Sequence, residues 1–571
     1  MKMKRVSVVL VLLTVLILSS FLHASSLPFV ESGVLIPLGD DIYSSFDALF
    51  VIAGKAVPST SRPWTVAEAR NYLSLLDSSS LDDYAAELYS SLYEYLFVPD
   101  EDTLSLTLTL SPEVYGHTNS SFNREEYWNY GYSSRSHFAI ASLDNSTHGI
   151  YGHLELSGGK GVVSSSDASS AVTIMEYVES LGKTWDGIGT LVDKSEGEKY
   201  KVITTEKNYS DYFSLNVPSS SSMDMNMPRR FYLDYSNSFM SIGVYKAQKS
   251  WGYNRSGNFI FDSHNDYYNT LSLKTWSRAF NFEYTFMLPE SYRGGTNYFF
   301  DDGEEGRRIF AAHRIGFRLF DSVNVVLSEN TMYRYRGFAD ISLLNPAAFY
   351  HNNVNNNQFN SLAHIEFEWS IMPKLLLYGS WVIDQGSFPG LEDRSTEDQA
   401  MGYSLGVEYD TVLLEGIARF SLEGIYTNPA LYRPTGSSDF IINYNRVNAD
   451  DYYRYPFYTY IGYEYGGDTI SLKLDGDWRR DSIHLYSSFS LRFDGEFTLY
   501  DQYYSPLLLT SPSGDYETVT EFNIGGEYSL TLWNTCPLTA FVDITLVNSS
   551  KLGFDAQVVV GGKISYSVKR R

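Results

Sequence analysis

Two sets of residues in this chain have the types and spacing to do chemistry. Phe349, Tyr350, His351 and Asn352 are followed by further asparagines at 353 and 355–357. Aromatic faces stack on sugar rings, and amides donate to and accept from hydroxyls, so this stretch suits a glycan. Glu366, Glu368 and Glu408 each sit between apolar neighbours, and Asp410 follows Tyr409 in the same alternation. Carboxylates in a ring would prefer cations. A third cluster, Asp301-Asp302-Gly303-Glu304-Glu305, offers oxygen ligands, but lacks the D-x-D-x-D-G order and closing glutamate of a calcium loop. It reads as a solvated loop. G-x-S-x-G, H-E-x-x-H and P-loop patterns are absent. The sole cysteine, Cys536, excludes an intramolecular disulfide and has no Cys/His signature around it. No catalytic residue, metal site or cofactor is therefore assigned, and an enzyme is not expected.

The elements that carry these residues alternate strictly. Residues 103–110 read TLSLTLTL, leucine against small hydroxyl residues. In HIEFEWSI (364–371), Ile365, Phe367, Trp369 and Ile371 share one face; His364, Glu366, Glu368 and Ser370 share the other. Tyr403, Leu405, Val407 and Tyr409 alternate with Ser404, Gly406, Glu408 and Asp410, and Phe522, Ile524, Tyr528 and Leu530 with Asn523, Glu527 and Ser529. A bilayer-spanning barrel needs this arrangement: lipid outside, water inside, every backbone group paired. The register implies that Phe367→Arg impairs assembly and that Glu366→Arg is tolerated.

The bulk numbers agree. Lys2, Lys4 and Arg5 precede an apolar stretch from Val6 to Leu22, with a small-residue cleavage site at Leu22-His23-Ala24. The expectation is an exported protein with a leader over 1–24. No later stretch approaches the ~18 apolar residues of a membrane helix. A net charge of −25 argues against nucleic acid, whose phosphates require basic surface. Aromatic residues make up 16%, which suits interfacial girdles and sugar-stacking surfaces alike.

Residues 25–99 differ from the rest. Ile42, Phe46, Leu49 and Phe50 have helical spacing; Thr65 and Glu68 form a capping box for a helix to about Leu76; Ser80-Leu81-Asp82-Asp83 opens another to about Phe97. The face expected to pack carries Leu81, Tyr84, Leu88, Leu92 and Tyr95. Residues 100–571 accommodate roughly 16–20 antiparallel strands. The long connections are 116–135, 288–307, 345–360, 385–400, 428–455 and 501–518. Residues 164–207 are poorly patterned. The fold class is thus an all-β transmembrane barrel with a small N-terminal α-helical module, plugging it or lying at its periplasmic rim.

From Ser241 the chain reads SIGVYKAQKSWGYNRSGNFIFDSHNDYYNTLSLKTW. Gly243, Trp251, Gly252, Gly257 and Ser263 match a glycine-led strand, a Trp-Gly pair, a glycine and a serine-containing loop. His313-Arg314 (opening HRIGFRLF), Glu329, and Asn345-Pro346 follow in order. This region resembles the signature of the Wzi family of capsule-assembly outer-membrane proteins. The resemblance implies a many-stranded outer-membrane barrel with a periplasmic helical module, and a lectin-like role at the cell surface. Its partners would be outer-membrane lipid, surface polysaccharide and, during biogenesis, the barrel-assembly machinery. Phe349, Tyr350, His351 and Asn352 become the candidate polysaccharide contacts. Read from the residues alone, Trp251-Gly252 is a structural corner with its tryptophan at the membrane interface, or else a binding platform, and His313-Arg314 are lumenal cations that either meet an anionic glycan or pair with carboxylates such as Glu329. The alternative function is a porin, with Glu366, Glu368, Glu408 and Asp410 setting cation preference. A plugged lumen favours the lectin, an open one the porin.

Overall fold

A computed structural model describes residues 33–97, 103–119, 138–158, 227–290, 307–335, 345, 359–385, 400–432, 440–447, 454–497, 510–532 and 536–570, and the short strands at 164–167, 190–193, 200–204 and 213–215. The strands β1 (Thr103–Leu110), β2 (Ala139–Thr147), β3 (Ile150–Gly158), β4 (Arg230–Ser236), β5 (Met240–Ala247) and β6 (Tyr268–Trp276) begin the wall. It continues through β7 (Phe280–Met287), β8 (Arg307–Leu319), β9 (Val323–Tyr335), β10 (Phe359–Met372), β11 (Leu375–Gln385) and β12 (Ala400–Leu413). β13 (Gly416–Thr427), β14 (Thr469–Arg480), β15 (Ile483–Asp494), β16 (Glu517–Leu532), β17 (Cys536–Ser549) and β18 (Gly553–Arg570) complete it. Each pairs antiparallel with its neighbours, and β18 returns to β1 at Ile564↔Leu110, closing an 18-strand barrel. Closure removes the unpaired edge that hydrocarbon cannot solvate.

The alternation works as expected. Leu106 on β1 is 55% exposed and Leu405 on β12 is 57%, whereas Glu408 is fully covered. At one end the strands are joined by tight turns, such as His148-Gly149, Pro373-Lys374 and Leu414-Glu415. All the long connections leave from the other end. The described residues within 164–207 are not wall: Ser164–Asp167, Thr190–Asp193 and Tyr200–Thr204 form a separate small sheet.

The helices α1 (Asp41–Ile52), α2 (Val66–Leu73) and α3 (Asp83–Leu96) lie at the short-turn end. The Ala56 N–H donates to the Asp321 carbonyl at 2.9 Å, and the Lys374 N–H to the Val51 carbonyl at 2.7 Å, tying the module to two turns. Thr65 caps α2, accepting from the Glu68 N–H at 3.2 Å. The cap of α3 is Asp82, within the Ser80–Asp83 signal, and its packed face is Ala85, Leu88, Leu92 and Leu96. Tyr95 is exposed instead, because Leu96 completes the i, i+4 stripe from Leu92.

Candidate functional site: a lumen filled by its own chain

The connection between β5 and β6 does not leave the barrel. It turns inward at Ser250–Trp251, which pairs antiparallel with Ser61–Arg62 of the N-terminal module. Plug and module thus meet inside the lumen. Trp251, Phe259 and Phe261 pack with Tyr268 and Phe310 of the wall and with Leu431, Tyr432 and Tyr463 from the connection after β13. Trp251 and Phe261 meet edge-on at 4.9 Å. The glycines have specific tasks. Gly252 has φ +129° and its missing Cβ leaves room for Asn258, whose Nδ2 donates to Ser250 Oγ at 2.9 Å. Gly257, at φ +127°, lies against the Tyr463 ring. Trp251-Gly252 is a corner, but the tryptophan is buried in the lumen rather than at the membrane interface.

Under this apolar plug runs a network of buried charges. The Arg314 guanidinium bonds Glu366 Oε2 at 3.1 Å and Thr60 Oγ1 at 2.7 Å, and Thr60 donates to the same carboxylate at 2.7 Å. Glu283 pairs with Lys249 and accepts from Ser61. Lys274 donates to the Pro63 carbonyl at 2.7 Å and faces Glu68 at 3.6 Å. Arg255 pairs with Glu408 at 2.6 Å, and Tyr253 donates to that group at 2.7 Å. Arg419 bridges Asp410 at 3.0 Å and Glu408 at 3.1 Å, and reaches the Ser44 carbonyl of α1 at 3.0 Å. Glu423 accepts from the backbone N–H groups of Arg255 and Ser256. Burial pushes Lys249 down to about 8 against the pull of Glu283, and pushes the Glu68 carboxyl up against Lys274.

This arrangement overturns one expectation. Glu366, Glu368, Glu408 and Asp410 do face the lumen, but they are covered and cannot meet a permeating cation. Three of them are ion-paired: Glu366 to Arg314, and Glu408 and Asp410 to Arg419. Desolvated charges persist only with such partners.

The opposite wall is different. On β14 the inward side chains of Lys473, Asp475 and Arg479 are between 25% and 29% exposed. Arg479 pairs with Asp41 of α1, and Asp477 with His484. Water reaches this stretch. Toward the long-loop end it is covered again: Asp555 accepts from the Thr118 and Asn119 N–H groups at 2.9 and 2.8 Å, and Thr545 and Gln557 are buried.

The remaining predicted residues separate. Arg314 lies within β8, which starts at Arg307, and faces inward. Strand parity then turns His313 outward. Glu329 shares the face of the exposed Leu327, so it is outward too, and meets His313 at 3.5 Å. Neither is lumenal. Asn345 is described and exposed; Pro346, Phe349, Tyr350, His351 and Asn352 lie outside the described residues. The connection they belong to joins two strands at the long-loop end. Arg255, Arg419 and Thr60 were not singled out by the sequence; a basic residue just past the Trp-Gly pair was the one available signal. Among the described residues no cluster of three or more His, Cys, Asp or Glu could hold a metal ion.

No family model matches the chain, and no curated protein matches it by sequence. Solved structures do. Wzi, an outer-membrane protein involved in group 1 capsule assembly in Escherichia coli and a carbohydrate-binding β-barrel, superposes with a TM-score of 0.52 at 12% identity, covering 93% of this chain and 98% of that one. The fold is that of a bacterial outer-membrane β-barrel. Acinetobacter baumannii OccAB4 (TM-score 0.37, 10% identity, 82% of this chain and 99% of that one) and Pseudomonas aeruginosa OprD (0.36, 10%, 82% and 96%) also match.

Proposed function

We propose that this barrel binds or organises surface polysaccharide without catalysis, its short-turn end and helices periplasmic and its long-loop end extracellular. One observation carries the reading: the lumen is filled by the chain's own plug, and buried ion pairs tie the wall to that plug and to the module. A wall so filled has its working surface at the mouth. The described part of that mouth has suitable chemistry. The Lys246 ammonium sits 4.3 Å over the Tyr267 ring, Tyr267 donates to Glu290 at 2.7 Å, and Arg230 donates to Gln248 at 2.7 Å. Resemblance to the Wzi signature and likeness to a carbohydrate-binding barrel support the same reading. The aromatic and amide group Phe349, Tyr350, His351 and Asn352 would add stacking faces. Export by the leader and insertion by the assembly machinery would deliver the protein to outer-membrane lipid.

The hydrated wall at β14 favours a second reading, passage of a small solute. One experiment separates the two. Deleting the gene should release surface glycan and leave small-solute uptake unchanged; retained glycan with lost uptake would reverse the assignment. Phe349→Ala with Tyr350→Ala should release glycan while heat-modifiable gel mobility reports a folded barrel. A cysteine at Ser78 should resist labelling from outside intact cells, and labelling there would overturn the orientation.

A further inference from the structure

The outer wall carries charge where lipid is expected. His313 on β8 and Glu329 on β9 are directly opposite in register and 3.5 Å apart. Apolar side chains flank them along the barrel axis in both directions. Ile315, Phe317 and Leu327 lie toward the short-turn end, Ile309 and Phe286 toward the long-loop end. Among the described residues, the other outward side chains of this band are uncharged, with Lys246 and Arg480 at strand ends. An ionisable group facing hydrocarbon is costly and marks a functional position.

The surroundings are also unusual. The row next to the pair is Ala311↔Thr331↔Ser361, and Ala363 stands beside Glu329. Tyr284, Phe286 and Tyr333 rim this depression, burying Ala311. Ala311 and Thr331 are covered there, and the small side chain left exposed beside the pair is Ala363.

We propose that this patch is the contact between two copies of the chain, related by a twofold axis along the membrane normal. Such an axis between β8 and β9 sets β8 of one copy against β9 of the other at equal height. His313 of each copy then faces Glu329 of its mate, so the patch is its own charge complement. Four groups close into one polar cluster that neither copy exposes to lipid. The exposed Ala363 beside Glu329 leaves room for the mate's wall.

The test uses the full chain in native membranes, with Cys536→Ser as background. Leu327→Cys places a thiol on the exposed wall one row from the pair; Val558→Cys, outward on the far wall, is the control. Oxidation should give a dimer band at Leu327→Cys at least tenfold stronger than at Val558→Cys. Adding Glu329→Gln should cut that band severalfold with heat-modifiable mobility unchanged, and exchanging the pair (His313→Glu with Glu329→His) should restore it. Equal bands at both positions, a cross-link to a different protein, or no effect of Glu329→Gln would overturn the proposal. Should a variant fail to fold, the mass of the unmodified protein in nanodiscs decides: two copies support the contact, and a monomer excludes it.

Discussion

The two halves of the lumenal wall are built from the same alternating pattern and end in opposite states. From β5 to β13 the inward carboxylates are dry: Glu283 and Glu408 are locked to Lys249 and Arg255 of the plug, Glu366 and Asp410 to Arg314 and Arg419 of the wall beneath it. On β14 and at His484 of β15 the inward charges pair mainly with side chains on their own or neighbouring strands, and water reaches them; Arg492, nearer the long-loop end of β15, is covered. The difference lies in what stands opposite. Where the β5–β6 connection and α1 press against the wall, desolvation makes every charge need a partner. Where they do not, water supplies it.

Charge removal should separate the halves most. Glu366→Ala strands Arg314 in a dry site and should cost about 3–5 kcal/mol. Asp475→Ala on the hydrated side should cost about 0–1 kcal/mol. Urea unfolding in micelles measures both, and equal losses would erase the distinction. For the same reason Glu366→Arg, tolerable in an open lumen, should now be more damaging than its outward neighbour Phe367→Arg, at about 2–4 kcal/mol for the latter. A stable Glu366→Arg barrel would mean that the plug is not seated there.

Solvent access gives an intermediate effect. With Cys536→Ser as background, a cysteine at Asp477 should react with a small hydrophilic maleimide several times faster than one at Glu408, in the folded protein. Equal rates would place water on both sides.

The smallest effect concerns the plug's upper anchor. His264 Nδ1 meets Asp262 at 2.8 Å and Nε2 meets Thr459 at 3.0 Å. Burial opposes the imidazolium, but the hydrogen bond and charge of Asp262 outweigh it and raise its pKa. A raised pKa contributes stability that is full below the ordinary imidazole value of ~6.5 and is lost as pH rises through the folded value. Amide exchange over 258–266 should therefore quicken on going from acid to alkaline pH beyond its intrinsic change. His264→Gln should remove that excess; an unchanged excess would locate the titrating group elsewhere.

Much of the frame is legible because it depends on local periodicity. TLSLTLTL reads as a lipid-facing strand whatever surrounds it, and Thr65 with Glu68 reads as a helix start. The errors share a cause. Placing His313 and Arg314 on one face ignores the period of two, which the sequence does contain. Placing Trp251 at the membrane interface follows its residue type, and only the inward path of its loop decides otherwise. Phe259-Ile260-Phe261 was the overlooked hint: three consecutive apolar residues in a connection need a core to enter.

By itself, the sequence determined the barrel, the approximate strand number, the outward apolar face and the three helices. Each follows from side-chain direction along a single element. Tertiary structure alone decided that the lumen is filled, that Glu366 and Glu408 are dry while Asp475 is wet, and that His313 meets Glu329 on the outer wall. These depend on which distant segments share a space. Alternation sends a carboxylate inward, but burial and pairing are properties of its neighbours in three dimensions.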